Sequence, residues 1–243
     1  MTKRVLAMLL GAVMALSITA CGGGNAAAPE ITEMPSYDNL NEVLTGDYAI
    51  TEDTIAVYCT DVLNGAGLGL VEADRDVVQE GDIVSLDAGL IYKGYHSDAA
   101  RTHAIGEITK EAKELIKVTE ESFFEGMKYA KEGNYLYEIS GAIGRYAEAH
   151  GYGVVRDLCG HGIGTHLHES PEIPNYEMPR RGVKLRSGMT LAIEPMINMG
   201  TYAVDWLDDD WTVVTRDGSL SAHYENTILI TDGEPVLLTL SNK

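Results

Sequence analysis

The chain has 243 residues, of which 45% are hydrophobic and 23% are charged, a composition typical of a globular protein with one sizeable domain. Its 18 basic and 37 acidic residues give a formal net charge of -19, which disfavours binding to nucleic acid or to an anionic lipid surface. The same charge favours cationic partners, such as metal ions or the free amino end of a peptide.

The first twenty residues have the pattern of a secretory signal segment. Two basic residues precede a short apolar run, residues 5–18, which is too short for a comfortable membrane span. The run leads into the sequence I-T-A-C, which resembles the lipobox of bacterial lipoproteins, in which the cysteine is lipidated. We therefore predict a lipoprotein signal peptide over residues 1–20, with Cys21 as the lipidation site. An ordinary signal peptide with an incidental cysteine is the alternative.

A segment rich in glycine, alanine and proline follows over residues 21–36, and this composition is typical of a flexible tether. The tether favours the lipoprotein interpretation, which predicts a protein exported from a bacterial cytoplasm and anchored to a membrane. Residues 37–243 would then form one folded domain. Of the three cysteines, only Cys59 and Cys159 remain in this domain. Two cysteines in an exported protein could pair, but their spacing offers no disulfide framework, so the sequence leaves both states open.

The stretch 83–102 contains two β-rich runs that meet at Lys93-Gly94, a dipeptide suited to closing a hairpin. If these two residues are the whole loop, Asp87 and Asp98 lie on one face of the hairpin as diagonal neighbours. The apolar residues of the first run predict a strand that is buried on both faces. A buried carboxylate pair needs a cation or a shared proton, so the pair predicts half of a metal site. Two unrelated aspartates on a solvated face are the alternative.

Two helices are predicted after the hairpin. Thr109 is a suitable N-cap for the first, whose apolar stripe passes through Phe123 and is broken at Gly133-Asn134. A second apolar stripe begins at Leu136 and stops at Gly151. The remaining chain is β-like with glycine-rich turns. Strands interleaved with two long helices predict an α+β domain with a curved antiparallel sheet.

Three further polar residues interrupt apolar or glycine-rich context. His161 lies between two glycines, where backbone can approach a ligand closely; Glu194 ends an apolar strand; and Glu225 is predicted in the middle of a strand. Each alone has an ordinary explanation, such as an exposed strand face. Together with the two aspartates they would carry a charge of about -4, which two divalent cations would neutralise. The donor set suits manganese, iron, cobalt or zinc in a two-metal hydrolytic site.

These residues and their flanking motifs resemble the pita-bread metallopeptidases, most closely the type I methionine aminopeptidases. The motifs follow the family order from about residue 83 to the C-terminus: S-L-D-A-G, Y-H-S-D-A-A-R-T, C-G-H-G-I-G, E-P and S-A-H-Y-E-N-T. The resemblance implies the pita-bread fold, with helices on the outer face of the sheet, and a metallopeptidase domain over residues 37–243. It also implies removal of an N-terminal residue, methionine, from peptides with a free N-terminus.

The resemblance implies roles for individual residues. The metal ligands would be Asp87, Asp98, His161, Glu194 and Glu225. Of these, Asp98 and Glu225 would bridge two divalent ions, and Glu194 would also carry a proton for the attacking water.

Three more residues correspond to family positions around the substrate. His168 matches the histidine that contacts the scissile amide and the developing oxyanion. Leu167 and Trp211 fall where the family lines a pocket for an unbranched apolar side chain. The alternative for these two is an ordinary place in the hydrophobic core.

The sequence departs from the family pattern before the hairpin. Counting back from the E-G-D sequence at residues 80–82, the histidine position of the family motif H-G-I-P holds Leu70. Fewer than fifty residues separate the tether from Gly81, which indicates that the first half of the fold is shortened. These departures favour one alternative, a non-catalytic or weakly active peptide-binding lipoprotein of the same fold. A proline-specific relative is a second alternative, within the enzyme class. The complete set of five ligands favours the enzyme.

Overall fold

The computed structural model describes residues 55–64, 80–208 and 212–240, with only the backbone described for residues 55–64. The predicted signal segment and tether, and with them Cys21, lie outside these ranges, as do Leu70 and Trp211. In chain order the elements are β1 (Ile55–Asn64), β2 (Ile83–Tyr92), β3 (Tyr95–Ala104), α1 (Lys110–Met127), α2 (Leu136–Ala149), β4 (Gly153–Val154), β5 (Gly160–Gly162), β6 (Glu169–Ile173), β7 (Thr190–Ile193), β8 (Met196–Asn198), β9 (Val204–Trp206), β10 (Val213–Thr215), β11 (Ser221–His223), β12 (Asn226–Leu229) and β13 (Val236–Leu237).

The strands pair antiparallel throughout the described ladders, which confirms the predicted α+β class. They form four sheets rather than one continuous sheet. The largest has the strand order β13-β12-β7-β5-β6, and the others are β1-β2-β3, β11-β8-β4 and β10-β9. The division arises because short strands such as β11 and β12 follow each other directly but pair with different neighbours.

The hairpin β2–β3 has the predicted two-residue turn. Lys93 and Gly94 adopt φ of 51° and 77°, the left-handed backbone of a type I′ turn, and Tyr92 pairs with Tyr95. The prediction that β2 is buried on both faces is wrong. The face opposite the aspartates is covered at its Val84 end, but the side chain of Leu86 is 43% exposed.

Helix α1 begins as predicted, because Thr109 Oγ1 accepts a hydrogen bond of 3.1 Å from the N–H of Ala112. It ends at Met127, six residues before Gly133, so the predicted end was too late. The Ala130 N–H donates to the carbonyl of Met127, three residues earlier, and this bond closes a tight turn directly after the helix. Gly133, with φ of 93°, then lies in the connection to α2.

The two helices cover one face of the five-stranded sheet. Side chains of α1 and α2 pack with those of β7 and β12 in a core that includes Phe123, Ile139, Ile143, Leu191 and Ile228. Each fully buried side chain of this kind contributes about 1.5–3 kcal/mol. Because strand side chains alternate, Ala192 of β7, which pairs with His161, and Thr227 of β12, which hydrogen-bonds to the backbone of Asp98, point to the other face. No helix of the described part is long and apolar enough to cross a membrane.

Candidate metal centre

The two aspartates of the hairpin meet on one face of the sheet. Asp98 lies opposite Gly89 and Asp87 lies opposite Ala100, which is the predicted diagonal arrangement. The Asp98 side chain is buried, and burial raises its pKa, while a hydrogen bond with the Asp87 carboxyl partly opposes that rise. Two carboxyl groups can share a hydrogen bond only through a proton. When buried, the pair therefore needs either a shared proton or a cation.

His161 is held in β5, the short strand between β6 and β7. A Cβ at Gly160 would run into the carbonyl oxygen of Ala192 in β7, and one at Gly162 would run into that of Ser170. The flanking glycines are therefore needed for close approach of neighbouring strands. That the backbone also approaches a ligand closely at these glycines stays a prediction.

The imidazole of His161 is oriented by its own strand. Its Nδ1 lies 2.9 Å from the carbonyl oxygen of Gly162 and donates to it in the neutral ring, since a carbonyl only accepts. Burial lowers the pKa of His161 and so favours the neutral form. The unprotonated Nε2 then lies 3.5 Å from Glu194 Oε1. A cation near both atoms would stabilise this arrangement.

The two glutamates lie between successive strands that pair with different neighbours. Glu194 follows β7, and its carbonyl oxygen accepts a hydrogen bond of 3.1 Å from Asn175 Nδ2. The prediction that Glu225 lies in mid-strand is wrong: it lies in the gap between β11, which pairs with β8, and β12, which pairs with β7. Its N–H donates instead to the carbonyl oxygen of Ala100 in β3, at 2.9 Å.

One ligand atom each from Asp98, His161 and Glu225 lies within 4.8 Å of the others. Neither carboxylate oxygen of Glu225 has a hydrogen-bond partner among the described residues. Burial raises the pKa of Glu225 well above its usual range, and the carboxylates of Glu194, Asp87 and Asp98 raise it further. An uncompensated group of buried carboxylates is strongly unfavourable, and divalent cations are the natural compensation. The donor set, rich in oxygen with one nitrogen, fits such ions.

The comparisons with known proteins agree with this geometry. The sequence model of metallopeptidase family M24 matches residues 11–232, which is most of the chain. The chain belongs to metallopeptidase family M24. The match begins inside the segment for which a signal peptide is predicted. The methionine aminopeptidase of Clostridium acetobutylicum is 57% identical to this M24 metallopeptidase over 185 residues, or 76% of this chain and 74% of that protein.

Solved structures of the family share the fold of this M24 metallopeptidase. The methionine aminopeptidase from Rickettsia prowazekii is 38% identical with a TM-score of 0.70, and the match covers 74% of this chain and 73% of that chain. The prolidase from Pyrococcus horikoshii OT3 is 26% identical with a TM-score of 0.57, and the match covers 75% of this chain and 47% of that chain. The predicted pita-bread fold is confirmed.

The predicted substrate residues lie at the edge of the cluster or outside the described chain. The His168 side chain is exposed, and its ring centre is 4.4 Å from that of His161, at an interplanar angle of 69°. Leu167, just before it, is half-buried. Trp211 lies in the undescribed segment between residues 208 and 212, so its assignment stays a prediction, as do the other ligand and pocket assignments.

Two further residues beside the cluster were assigned no role from the sequence. Thr227 Oγ1 accepts from the N–H of Asp98 at 2.8 Å and donates to its carbonyl oxygen at 2.9 Å. His223 Nε2 lies 3.8 Å from Glu194 Oε2, and burial, with a smaller effect of the Arg101 charge, lowers the pKa of His223 to about 4. Their alternation with Glu225 along the chain was the only available signal, since the partners are far away in sequence.

Proposed function

We propose that the chain is a metal-dependent aminopeptidase that removes the N-terminal methionine from peptides. The observation that carries the proposal is the buried cluster of Asp98, His161 and Glu225, with Glu194 beside the imidazole. A structural role does not account for so many buried carboxyl groups in one place. The 57% identity with a methionine aminopeptidase supports the substrate, and the lower identity with a prolidase disfavours a proline-specific peptidase.

We propose that the centre holds two divalent ions of manganese, iron, cobalt or zinc. The residues that would hold these ions are Asp87, Asp98, His161, Glu194 and Glu225, and of these Asp98 and Glu225 would serve both ions. Four carboxylates supply a charge of about -4, which two divalent ions balance. Such ions would lower the pKa of the attacking water and polarise the scissile carbonyl.

The chain's own residues supply binding and proton transfer. The negative charge of the whole chain favours the approach of a peptide with a free, cationic amino group. Glu194 accepts a proton from the attacking water and passes it to the leaving amine. His168 is exposed beside His161, so its ring reaches a substrate and donates to the developing oxyanion. We propose that Leu167 and Trp211 bind the methionine side chain.

The test is hydrolysis of tripeptides that differ only in their first residue. Metal-free protein is loaded with manganese, iron or cobalt and given peptides that begin with methionine, leucine or alanine, together with one whose second residue is proline. We expect the methionine peptide to have the highest kcat/KM, by about tenfold or more over the leucine peptide. A Glu194→Gln variant serves as the inactive control. Equal rates for all first residues, or cleavage only before proline, would contradict the proposal.

We further propose that Cys21 is lipidated and anchors the protein to a membrane outside the cytoplasm, where its substrates are extracellular peptides. The I-T-A-C sequence and the tether over residues 21–36 support this. Because a single acyl chain gives only marginal binding, a stable anchor implies more than one chain. The wild type and Cys21→Ser, expressed in a bacterial host, should partition to the membrane and soluble fractions respectively. If both are soluble, the anchor is wrong.

A further inference from the structure

The backbone around Glu225 lies in a break of the strand ladders. Strand β11 ends at His223, which pairs with Met196, and β12 begins at Asn226, which pairs with Ile193. The N–H of Glu225 finds an acceptor in the carbonyl oxygen of Ala100. Its own carbonyl oxygen faces no strand N–H in these ladders and needs another donor, because buried backbone groups are almost always paired.

Arg101 supplies that donor from the neighbouring strand β3. Its Nη1 donates to the carbonyl oxygens of Glu225 and of Ala100, the latter at 2.6 Å, and its Nη2 donates to Asn226 Oδ1 at 2.7 Å. The guanidinium carbon also lies 4.1 Å from the ring centre of Tyr224. Because the guanidinium is a rigid planar fork, these contacts fix the segment 224–226 relative to β3 in both position and orientation.

The contacts join the two halves of the candidate metal centre. Asp98 lies three residues before Arg101 on β3, and Glu225 lies on the segment that the guanidinium holds. Alternation along β3 places the Arg101 side chain on the face opposite Asp98, so Arg101 acts on the backbone behind the carboxylates. These two carboxylates are also the ones that the proposed function shares between both ions.

We propose that Arg101 is a positioning residue that sets the separation of the Asp98 and Glu225 carboxylates and thereby the metal affinity of the centre. The inference rests on the proposed function. A group that orients ligands in this way typically contributes about 10–100-fold in metal affinity. A residue that only held the two strands together would contribute to stability and leave the affinity of the folded protein unchanged.

The experiment measures Mn²⁺ binding by calorimetry on metal-free protein, with the melting temperature as a second readout. For Arg101→Met, which keeps the apolar stem and removes every donor, we expect the dissociation constant to rise roughly 10–100-fold. Arg101→Lys keeps the charge but cannot reach all three acceptors with fixed geometry. Its dissociation constant for Mn²⁺ should therefore lie between those of the wild type and Arg101→Met. At saturating Mn²⁺ the KM for a methionine tripeptide should match the wild type, and most of kcat should return.

Two control variants separate positioning from stability. Arg145→Met removes an exposed arginine that pairs with Glu177, and Ile143→Val removes one buried methylene from the core. Both should keep the wild-type dissociation constant, although Ile143→Val lowers the melting temperature. A dissociation constant for Arg101→Met within about twofold of wild type would overturn the inference, whatever its stability. If that variant does not fold, the same limit applies to Arg101→Lys. A wild type that binds no metal contradicts the proposed function itself.

Discussion

At the scale of single residues, the burial of Asp98 and Glu225 is the feature that most needs a cation. Both groups have raised pKa values, chiefly through loss of solvent, and both lie near other carboxylates. Such groups are unfavourable in the charged form until a cation arrives. Metal binding and loss of protons are therefore coupled at this centre.

The first prediction concerns Asp98→Ala. Since Asp98 is proposed as a ligand of both ions, its removal should lower metal content and hydrolysis together. Elemental analysis of the purified protein gives the metal content per chain, and release of methionine gives the activity. The control is Asp232→Asn, because Asp232 is an exposed carboxylate in the connection between β12 and β13. This variant should change neither the metal content nor the activity. Unchanged metal stoichiometry in Asp98→Ala would rule out the assignment.

The second prediction concerns Leu70, where the family pattern has a histidine. A histidine there would donate a hydrogen bond to the substrate, and loss of one such donor typically lowers the rate by about 10²–10³-fold. We expect weak activity in the wild type and a rise in kcat/KM of about tenfold or more in Leu70→His at saturating metal. The measurement is hydrolysis of a methionine tripeptide. A variant no faster than the wild type would show that position 70 does not contribute this donor.

At the scale of secondary structure, the close approach of β5 to its neighbours holds His161 in the centre. Gly160→Ala would place a methyl group against the carbonyl oxygen of Ala192, so the strands would have to separate. We expect a loss of about 1–3 kcal/mol in the free energy of unfolding, measured with urea on metal-free protein. Gly233→Ala is the matched control. The atom nearest to the added methyl group would lie 3.8 Å away, so the effect on stability should be small. Equal stability of the two variants would contradict this account of β5.

The turn at Asp217 is expected to make the stability of the fold depend on pH. Its carboxylate accepts hydrogen bonds from the N–H groups of Thr201 at 2.7 Å and Ser219 at 3.0 Å, which hold its pKa well below the usual range. A depressed pKa stabilises the fold at pH values above the unfolded-state pKa, and this contribution is lost as the pH falls below it.

The wild type should therefore melt at a higher temperature than Asp217→Asn at pH 6, and the difference should shrink below about pH 4. Metal-free protein is used for both, so that metal binding does not contribute. A difference that stays constant down to about pH 3 would contradict the assignment.

At the scale of the whole molecule, structure set by neighbouring residues could be predicted from the sequence. The points where successive strands pair with different neighbours could not. The hairpin at Lys93-Gly94 follows from turn chemistry alone, and the register of Asp87 and Asp98 follows from the hairpin. The break at Glu225 could not be predicted, because β11 and β12 look like one continuous strand and differ only in their distant partners. Contacts such as those of Arg101 and Thr227 span more than a hundred residues of chain, and no local pattern specifies them.

The most direct test of metal-dependent aminopeptidase activity is release of free methionine from a methionine tripeptide while metal-free protein is titrated with Mn²⁺. The account predicts no release in the presence of a chelator, a rise with added metal, and a plateau at about two ions per chain. Release that persists in the chelator, or that is absent at every metal concentration with Mn²⁺, Fe²⁺ and Co²⁺, would contradict it.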